Sequence, residues 1–167
     1  SQHRLDGRAK VTGQAGFGID VRVPGMLYAR VLHAPMFGAT LKSFDDKRAI
    51  ASKGVRHVVQ IDAGVAVVGD HWWAAKKGVE AIDAEWELGE HASFSSASQR
   101  QDLDKLLKGD GASAKAVGDT AAAMAEAKDT IDAEFDFPYL SHAPMEPMNA
   151  TADVREDGVT VWAPTQF

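Results

Sequence analysis

Several short runs of the chain alternate between apolar and polar residues, which is the pattern of β-strands that bury one face. The clearest run is TIDAEFDF at 130–137, where apolar residues occupy every second position and threonine or acidic residues lie between them. DAEWEL at 83–88 alternates in the same way. We therefore predict a strand in each run, with its acidic face exposed.

Three further runs have the apolar composition of more deeply buried strands. They are MLYARVLHA at 26–34, VRHVVQI at 55–61 and VAVVG at 65–69. Proline or glycine lies near their ends, and both residues favour turns. TADVREDGVTVWAP at 151–164 predicts a closing hairpin, because EDG supplies a turn between two strand-like stretches.

Two segments in the first half of the chain favour helices. In SFDDKRAIASKG at 43–54, Ser43 or Asp45 is suited to cap the helix and the final glycine to end it. HWWAAKKGVEAI at 71–82 follows Asp70, whose carboxylate is suited to cap the first turn. Strands and helices therefore follow one another over short connections.

The second half predicts two more helices, separated by a linker. DLDKLLKGDG at 102–111 supplies one or two helical turns, and its leucines are expected in the core. GASAKAVG at 111–118 consists mostly of small residues and is the predicted domain boundary. DTAAAMAEAK at 119–128 has high helix propensity, with Asp119 as its cap. The mixture indicates an α+β fold. The leucines of 102–111 that are expected in the core are Leu103, Leu106 and Leu107.

The composition of the chain argues against several classes of function. With 45% hydrophobic and 25% charged residues, the chain has the composition of a globular protein with a core. Its formal net charge is −6 and its lysines and arginines are scattered, so nucleic acid is not expected as a partner. No apolar stretch reaches the length of a membrane span. Because cysteine is absent, this chain forms no disulfide, supplies no thiol nucleophile and ligates no iron–sulfur cluster.

The run HAPMEPMN at 142–149 concentrates the residues with the most chemical potential. His142 and Glu146 have the spacing that would place both on one face of a helix. Pro144 and Pro147 disfavour a helix there, because proline lacks the backbone N–H and clashes with the preceding turn. One histidine and one carboxylate are also too few for a closed zinc site. We therefore expect no metal site in this run.

Two interpretations of HAPMEPMN remain open. In the first, the run is a rigid extended corner, and Met145 and Met148 fill gaps in a core. In the second, His142 or Glu146 orients a functional group nearby. The residues alone do not choose between them.

Other candidate sites have simpler interpretations. TGQAGFG at 12–18 is rich in glycine, but an extended segment follows it, whereas a phosphate loop leads directly into a helix. We predict a turn. Trp72 and Trp73 are expected to pack in the core, because adjacent helical residues point about 100° apart and only one would face a given ligand. No G-x-S-x-G nucleophile elbow is present, and no catalytic set is complete.

The first residues nevertheless resemble a known family. RLDGRAKVTGQAGFGIDVRVPGMLYARVLHAP is similar to the opening of the large, molybdenum-binding subunit of the xanthine dehydrogenase and aldehyde oxidase family. SHAPMEPMNATADVREDGVTVWAPTQ continues the match and is closest to the isoquinoline 1-oxidoreductase beta-subunit type. The resemblance covers nearly the whole chain and is specific in its combination of motifs. The opening motifs are Asp6–Gly13, Phe17–Asp20, Pro24–Ala29 and Ala34–Pro35.

The resemblance implies a fold and a domain division. Residues 1–115 are expected to form an α/β-hammerhead domain, with the boundary between 90 and 118. Residues 119–167 are expected to supply a bridging helix and the first strands of a molybdopterin-binding domain that continues beyond them. The chain is thus expected to be the N-terminal piece of a large subunit.

The resemblance also implies an activity for the whole enzyme. Members of the family oxidise aldehydes or nitrogen heteroaromatics with water as the oxygen source, and a glutamate acts as base. The implied cofactor is molybdenum held by molybdopterin, expected as its cytosine dinucleotide form. The implied partners are the remainder of the large subunit, or a second chain carrying it, and a small subunit with [2Fe-2S] clusters. Relatives of this type occur in the periplasm, but the residues alone do not identify a compartment.

This chain departs from the family where the catalytic residues are expected. The glycine-rich motif and the catalytic glutamate lie downstream of the Thr165–Gln166 step, so no catalytic residue is assigned to this chain. The candidates for cofactor contact are His142, Glu146 and Gln166, and no metal ligand or bound cofactor is expected in the isolated chain. The rival hypothesis is a free-standing, non-catalytic binding module with the hammerhead fold.

Overall fold

The computed structural model describes residues 4–165. The chain divides into two compact units, and each is described by itself. The larger unit comprises Leu27–Phe137, and the smaller unit combines the segments Ser1–Met26 and Pro138–Phe167. Helices and antiparallel strands occur together, so the predicted mixed class is confirmed at that level. No helix in the described part of the chain is both long and apolar enough to cross a bilayer.

A three-stranded antiparallel sheet forms the centre of the larger unit. Its order is β1 (Tyr28–His33), β4 (Gly64–Gly69), β3 (Val55–Ile61), so β4 has a neighbour on both sides. Because it is central, β4 carries Val65 and Val67, both fully buried. The strands predicted at 26–34, 55–61 and 65–69 are confirmed, with small shifts at their ends.

Helix α3 (Trp72–Glu80) packs on this sheet and completes the core. Its buried face consists of Ala74, Ala75, Gly78 and Val79. Small residues are needed there because the helix lies very close to β4. A Cβ added at Gly78 would come within 2.6 Å of Cγ1 of Val67.

The first turn of α3 is capped by a residue that the sequence did not indicate. Nδ1 of His71 accepts a hydrogen bond from the Ala74 N–H at 3.1 Å. Asp70, the predicted cap, instead accepts two hydrogen bonds from the guanidinium of Arg56, at 2.6 and 3.0 Å. The predicted cap was therefore wrong by one residue, because the ion pair takes up both oxygens of the Asp70 carboxylate.

A second, two-stranded sheet replaces part of a predicted helix. β2 (Thr40–Asp45) pairs antiparallel with β5 (Asp83–Glu87), which confirms the strand predicted at 83–88. Only α2 (Lys47–Ile50) is helical within the predicted helix 43–54, so the first part of that prediction was wrong. Pairing with β5 overrode the local preference, and Ser43 Oγ donates to the Glu85 carboxylate across the strands.

Helix α4 (Ser96–Leu107) begins earlier than predicted. Ser95 and Ser98 form a reciprocal cap, in which the hydroxyl of each accepts the backbone N–H of the other at 3.1 Å. The predicted burial of its leucines was wrong, because no part of the described chain covers this face. Leu103, Leu106 and Leu107 are 51%, 72% and 79% exposed.

Helix α5 (Thr120–Glu126) confirms the predicted helix and its cap, because Asp119 Oδ1 accepts the Ala122 N–H at 2.9 Å. The strand predicted at 130–137 was wrong. Among the described residues this segment pairs with no other strand. Alternation supplies the side-chain pattern of a strand, but a strand also needs a neighbouring backbone to bond with.

The smaller unit contains α1 (Gly7–Val11), a 3₁₀ turn at Gly18–Asp20 and a hairpin. The hairpin strands are β6 (Thr151–Arg155) and β7 (Gly158–Trp162), joined by a two-residue loop at 156–157. The predicted hairpin is thereby confirmed. Part of the glycine-rich run TGQAGFG lies between α1 and the 3₁₀ turn.

Candidate functional site

The run HAPMEPMN lies in the smaller unit and forms neither helix nor strand. Ala143 has a φ of 39°, in the left-handed region that side chains rarely adopt, which turns the chain between His142 and Pro144. Met145 and Met148 are 102% and 95% exposed, so the expectation that they fill a core was wrong for the described residues. The run projects its methionines outward.

Glu146 is the residue of this run that makes long-range contacts. Its Oε1 accepts hydrogen bonds from the Ile19 backbone N–H at 3.0 Å and from Asn149 Nδ2 at 2.9 Å. The carboxylate therefore lies at the start of the 3₁₀ turn Gly18–Asp20, where backbone N–H groups lack partners within the turn. Asp20 supports the same turn by accepting the Phe17 N–H at 3.1 Å.

Glycine is required at position 18 by the closeness of this arrangement. A Cβ built there would lie 2.9 Å from Asn149 Oδ1 and 3.4 Å from Glu146 Oε1. Asn149 is fixed by its own amide, which also donates to the Pro147 carbonyl at 2.8 Å. Its Oδ1 is buried and has no hydrogen-bond donor among the described residues. We call Gly18, Ile19, Glu146 and Asn149 the Glu146 cluster.

Hydrogen bonding sets the charge state of the cluster. The bond from Asn149, together with those from the Ile19 and Gly18 backbone N–H groups, lowers the pKa of Glu146, and these bonds outweigh the opposing effect of desolvation. The side chain is therefore ionised at neutral pH. A carboxylate with a lowered pKa is a weak proton acceptor, so the geometry suits a structural tie better than a general base.

The other candidate residues do not join this cluster in the structure. His142 is exposed, and Gln166 lies outside the described residues. In residues 4–165 no three histidine, aspartate or glutamate side chains are arranged to hold a metal ion. A pterin phosphate needs cationic or N–H donors, whereas the cluster presents an anion whose Oε1 already accepts two hydrogen bonds. The Glu146 cluster therefore does not fit a pterin phosphate.

The larger unit contains a cavity of about 900 Å³ that the sequence did not indicate. It opens between the loop after β1 and the turn after β3, and Trp86 of β5 contributes to its wall. Most of the lining is apolar, and its ionisable residues are two histidines and one aspartate. The alternating pattern at 83–88 gave one indication of this cavity, because it placed Trp86 on the apolar face of the strand. The most prominent lining residues are His33, Phe37, Asp62, Trp86, His91 and Phe94.

Trp72 and Trp73 are not core residues, contrary to the sequence prediction. They are 46% and 52% exposed. The guanidinium of Arg30 lies 5.5 Å from the Trp72 ring centroid, and Lys76 Nζ lies 5.0 Å from that of Trp73. Each ring therefore has a cation as a neighbour.

Known proteins are similar to this sequence over most of its length. Residues 106–167 match the family described as the molybdopterin cofactor-binding domain. The beta subunit of isoquinoline 1-oxidoreductase from Brevundimonas diminuta is 31% identical over 98% of this chain, and the match covers 22% of that relative. The chain belongs to the molybdopterin-binding subunits of the xanthine dehydrogenase family. The resemblance of the opening and HAPMEPMN motifs is thereby confirmed.

Two further similarities bear on the extent of the match and on the fold. A protein of Gluconacetobacter polyoxogenes named membrane-bound aldehyde dehydrogenase [pyrroloquinoline-quinone] is 30% identical over 93% of this chain and 21% of its own length. The solved structure of quinoline 2-oxidoreductase from Pseudomonas putida 86 shares the fold with a TM-score of 0.61, at 19% identity, over 99% of this chain and 26% of that one. The chain thus spans about a fifth of the curated relatives it matches.

Proposed function

We propose that this chain is the N-terminal scaffold portion of a molybdenum hydroxylase large subunit, in an enzyme that oxidises aldehydes or nitrogen heteroaromatics with water as the oxygen source. Support comes from the molybdopterin-binding family match at 106–167 and from relatives named for an aldehyde and for isoquinoline. When bound in the complete enzyme, the molybdenum cofactor supplies the redox chemistry. This chain's own role is to shape and hold neighbouring parts of the subunit.

The single observation that carries the scaffold role is the contact between Glu146 and Ile19. The run HAPMEPMN contains the residues best suited to chemistry, yet its carboxylate is used to join two segments of the smaller unit. The hydrogen bonds from Asn149 and from the backbone lower the pKa of Glu146, so the carboxylate is ionised at neutral pH. Glu146 is therefore a positioning residue in this proposal. His142 and Gln166 remain candidates for contact with the cofactor of the complete subunit.

The finer assignments belong to the same proposal. Residues 1–115 are proposed to correspond to the α/β-hammerhead domain, with the boundary between 90 and 118. Residues 119–167 are proposed to begin the molybdopterin-binding domain. The proposed cofactor form is molybdopterin cytosine dinucleotide, and the proposed partners are the remainder of the large subunit, or a second chain carrying it, and a small subunit with [2Fe-2S] clusters. The family match at 106–167 supports the assignment of the last part of the chain to the molybdopterin-binding domain. The boundary, the dinucleotide form and the small subunit rest on the resemblance to the family.

Metal analysis separates the scaffold role from a self-contained enzyme. The 167-residue chain and the complete gene product are purified from the same host, and molybdenum is measured by mass spectrometry beside aldehyde and isoquinoline oxidation. We expect molybdenum and turnover with the complete product and neither with the chain alone. Stoichiometric molybdenum on the chain alone would overturn the scaffold role. A complete product that carries no molybdenum would overturn the proposed enzyme class.

A further inference from the structure

The segment 130–137 keeps the side-chain arrangement of a strand although it pairs with no strand in the described chain. Ile131, Phe135 and Phe137 are 94%, 76% and 82% exposed. The rings of Phe135 and Phe137 lie 6.4 Å apart at an interplanar angle of 20°, so these alternate residues point to the same side. Side chains two residues apart share a face only in an extended backbone. We call 130–137 the docking segment.

The opposite face of the docking segment is held by helix α4. Nη1 of Arg100 lies 2.5 Å from the Asp136 carboxylate, and Nη2 lies 3.0 Å from that of Glu134. One planar guanidinium thus bridges two carboxylates at alternate positions, which is possible when both project to the same side. The two contacts favour an extended form of the backbone before any partner binds. Such preorganisation reduces the entropy lost on binding.

We propose that the docking segment receives a β-strand from the remainder of the large subunit, one that presents apolar side chains on one face and lysine or arginine on the other. This inference rests on the proposed function, because the partner is the polypeptide that completes the subunit. Extended backbone with free N–H and C=O groups pairs readily with another strand. The phenylalanine face calls for apolar neighbours, and the acidic face calls for basic ones.

Charge argues against a second copy of this chain as the occupant. Asp132, Glu134 and Asp136 share one face, and Arg100 contacts only the last two. If two copies of the segment paired antiparallel, their acidic faces would meet and repel each other. A strand with basic residues at alternate positions would instead place a cation beside Asp132, which has no ion pair among residues 4–165. The polar face therefore selects a partner different from itself.

A probe peptide tests the proposal on the 167-residue chain without the missing partner. The probe alternates valine with lysine over the length of the docking segment, and binding is measured by calorimetry and by amide shifts in NMR. A control peptide of the same sequence carries N-methyl groups on the amides that would pair. A second control replaces lysine by glutamate. We expect binding of the lysine peptide, shifts centred on 130–137, and at least tenfold weaker binding of both controls.

Two matched pairs of variants decide which face matters. Asp132→Lys should weaken binding of the lysine peptide about fivefold, because it turns an attraction into a repulsion. Asp110→Lys, at an exposed position shortly after α4, should leave binding unchanged. Phe135→Asp should abolish binding, whereas Phe135→Val should retain it. Equal binding of the N-methylated peptide, or equal effects of the two lysine substitutions, would overturn the docking strand. So would a dimer, seen by analytical ultracentrifugation, that Phe135→Asp dissolves.

These outcomes are distinct from those of the metal analysis. If the peptide fails to bind but the complete gene product carries molybdenum, the proposed function stands and the docking strand is wrong. If the peptide binds but the complete product lacks molybdenum, the segment is a strand acceptor in a protein of another class.

Discussion

Glu146 accepts a hydrogen bond from the backbone N–H of Ile19, a residue 127 positions earlier in the chain. This contact joins the first segment of the smaller unit to the run HAPMEPMN. Because the bond ends on a charged oxygen and is reinforced by Asn149, it is among the stronger kinds of side-chain hydrogen bond. The order of the 3₁₀ turn at Gly18–Asp20 should therefore depend on Glu146.

Replacing Glu146 should loosen the turn it caps. In Glu146→Ala the Ile19 N–H loses its acceptor, so its hydrogen exchange should accelerate by about tenfold or more, while amides of β4 in the larger unit keep their rates. Exchange measured by NMR or mass spectrometry reports both regions in one experiment. Glu156→Ala, in the exposed hairpin loop, is the matched control. Unchanged exchange at Ile19 in Glu146→Ala would show that the bond does not hold the turn.

Acid should weaken the same contact. The folded-state pKa of Glu146 lies below the ordinary value for glutamate, chiefly through the hydrogen bond from Asn149. Its stabilising effect is therefore fully present above the pKa of glutamate in the unfolded chain and is lost as pH falls through the lowered folded value. Carboxyl chemical shifts of Glu146 against pH should show the low midpoint. Asn149→Ala should move that midpoint upward, and an unmoved midpoint would contradict the assigned cause.

The cap of α3 offers a direct comparison of two neighbouring residues. His71→Ala should destabilise the larger unit by about 1 kcal/mol, because the Ala74 N–H loses its acceptor, and His71→Asn should restore most of the loss. Asp70→Ala should cost less, since it removes only an exposed ion pair with Arg56. Urea denaturation of the three variants measures the difference. A larger loss in Asp70→Ala than in His71→Ala would reverse the assignment.

Local pattern identified most of the larger unit's sheet. The runs at 55–61 and 65–69 are apolar, rich in valine and bordered by glycine, and they became the neighbouring strands β3 and β4. The segment Thr40–Asp45 was missed because its mixed residues favour neither structure strongly, and only pairing with β5 decided it. The docking segment is the opposite case. Its pattern is strong, but its backbone has no neighbour within the described chain.

The candidate site was predictable in its residues but not in its contacts. Two prolines correctly excluded a helix and directed attention to Glu146. That its carboxylate would bond to Ile19 depends on a fold that brings distant segments together, which no local spacing encodes. The glycine-rich run begins with the predicted turn at 12–13, but the segment after it is not extended at first, because Gly18–Asp20 forms a 3₁₀ turn. The need for Gly18 became visible only from the position of Asn149 Oδ1. The cavity beside Trp86 likewise arises from several elements at once.

The last prediction follows from the close packing of α3 on β4. Gly78→Ala would normally stabilise a helix, because alanine has the higher helix propensity. Here the added Cβ would lie 2.6 Å from Cγ1 of Val67 and 2.9 Å from Cγ2 of Val55, closer than van der Waals contact allows. We therefore expect a net loss of about 1–3 kcal/mol in urea denaturation.

The partner of this clash supplies the control for Gly78→Ala. Val67→Ala alone should destabilise the protein, because it leaves a cavity in the core. The double variant Gly78→Ala/Val67→Ala should then be more stable than the sum of the two single effects, since the new methyl group occupies space that Val67 has vacated. Strict additivity would show that the clash is relieved by movement of α3. A stabilised Gly78→Ala would show that the helix does not lie this close to β4.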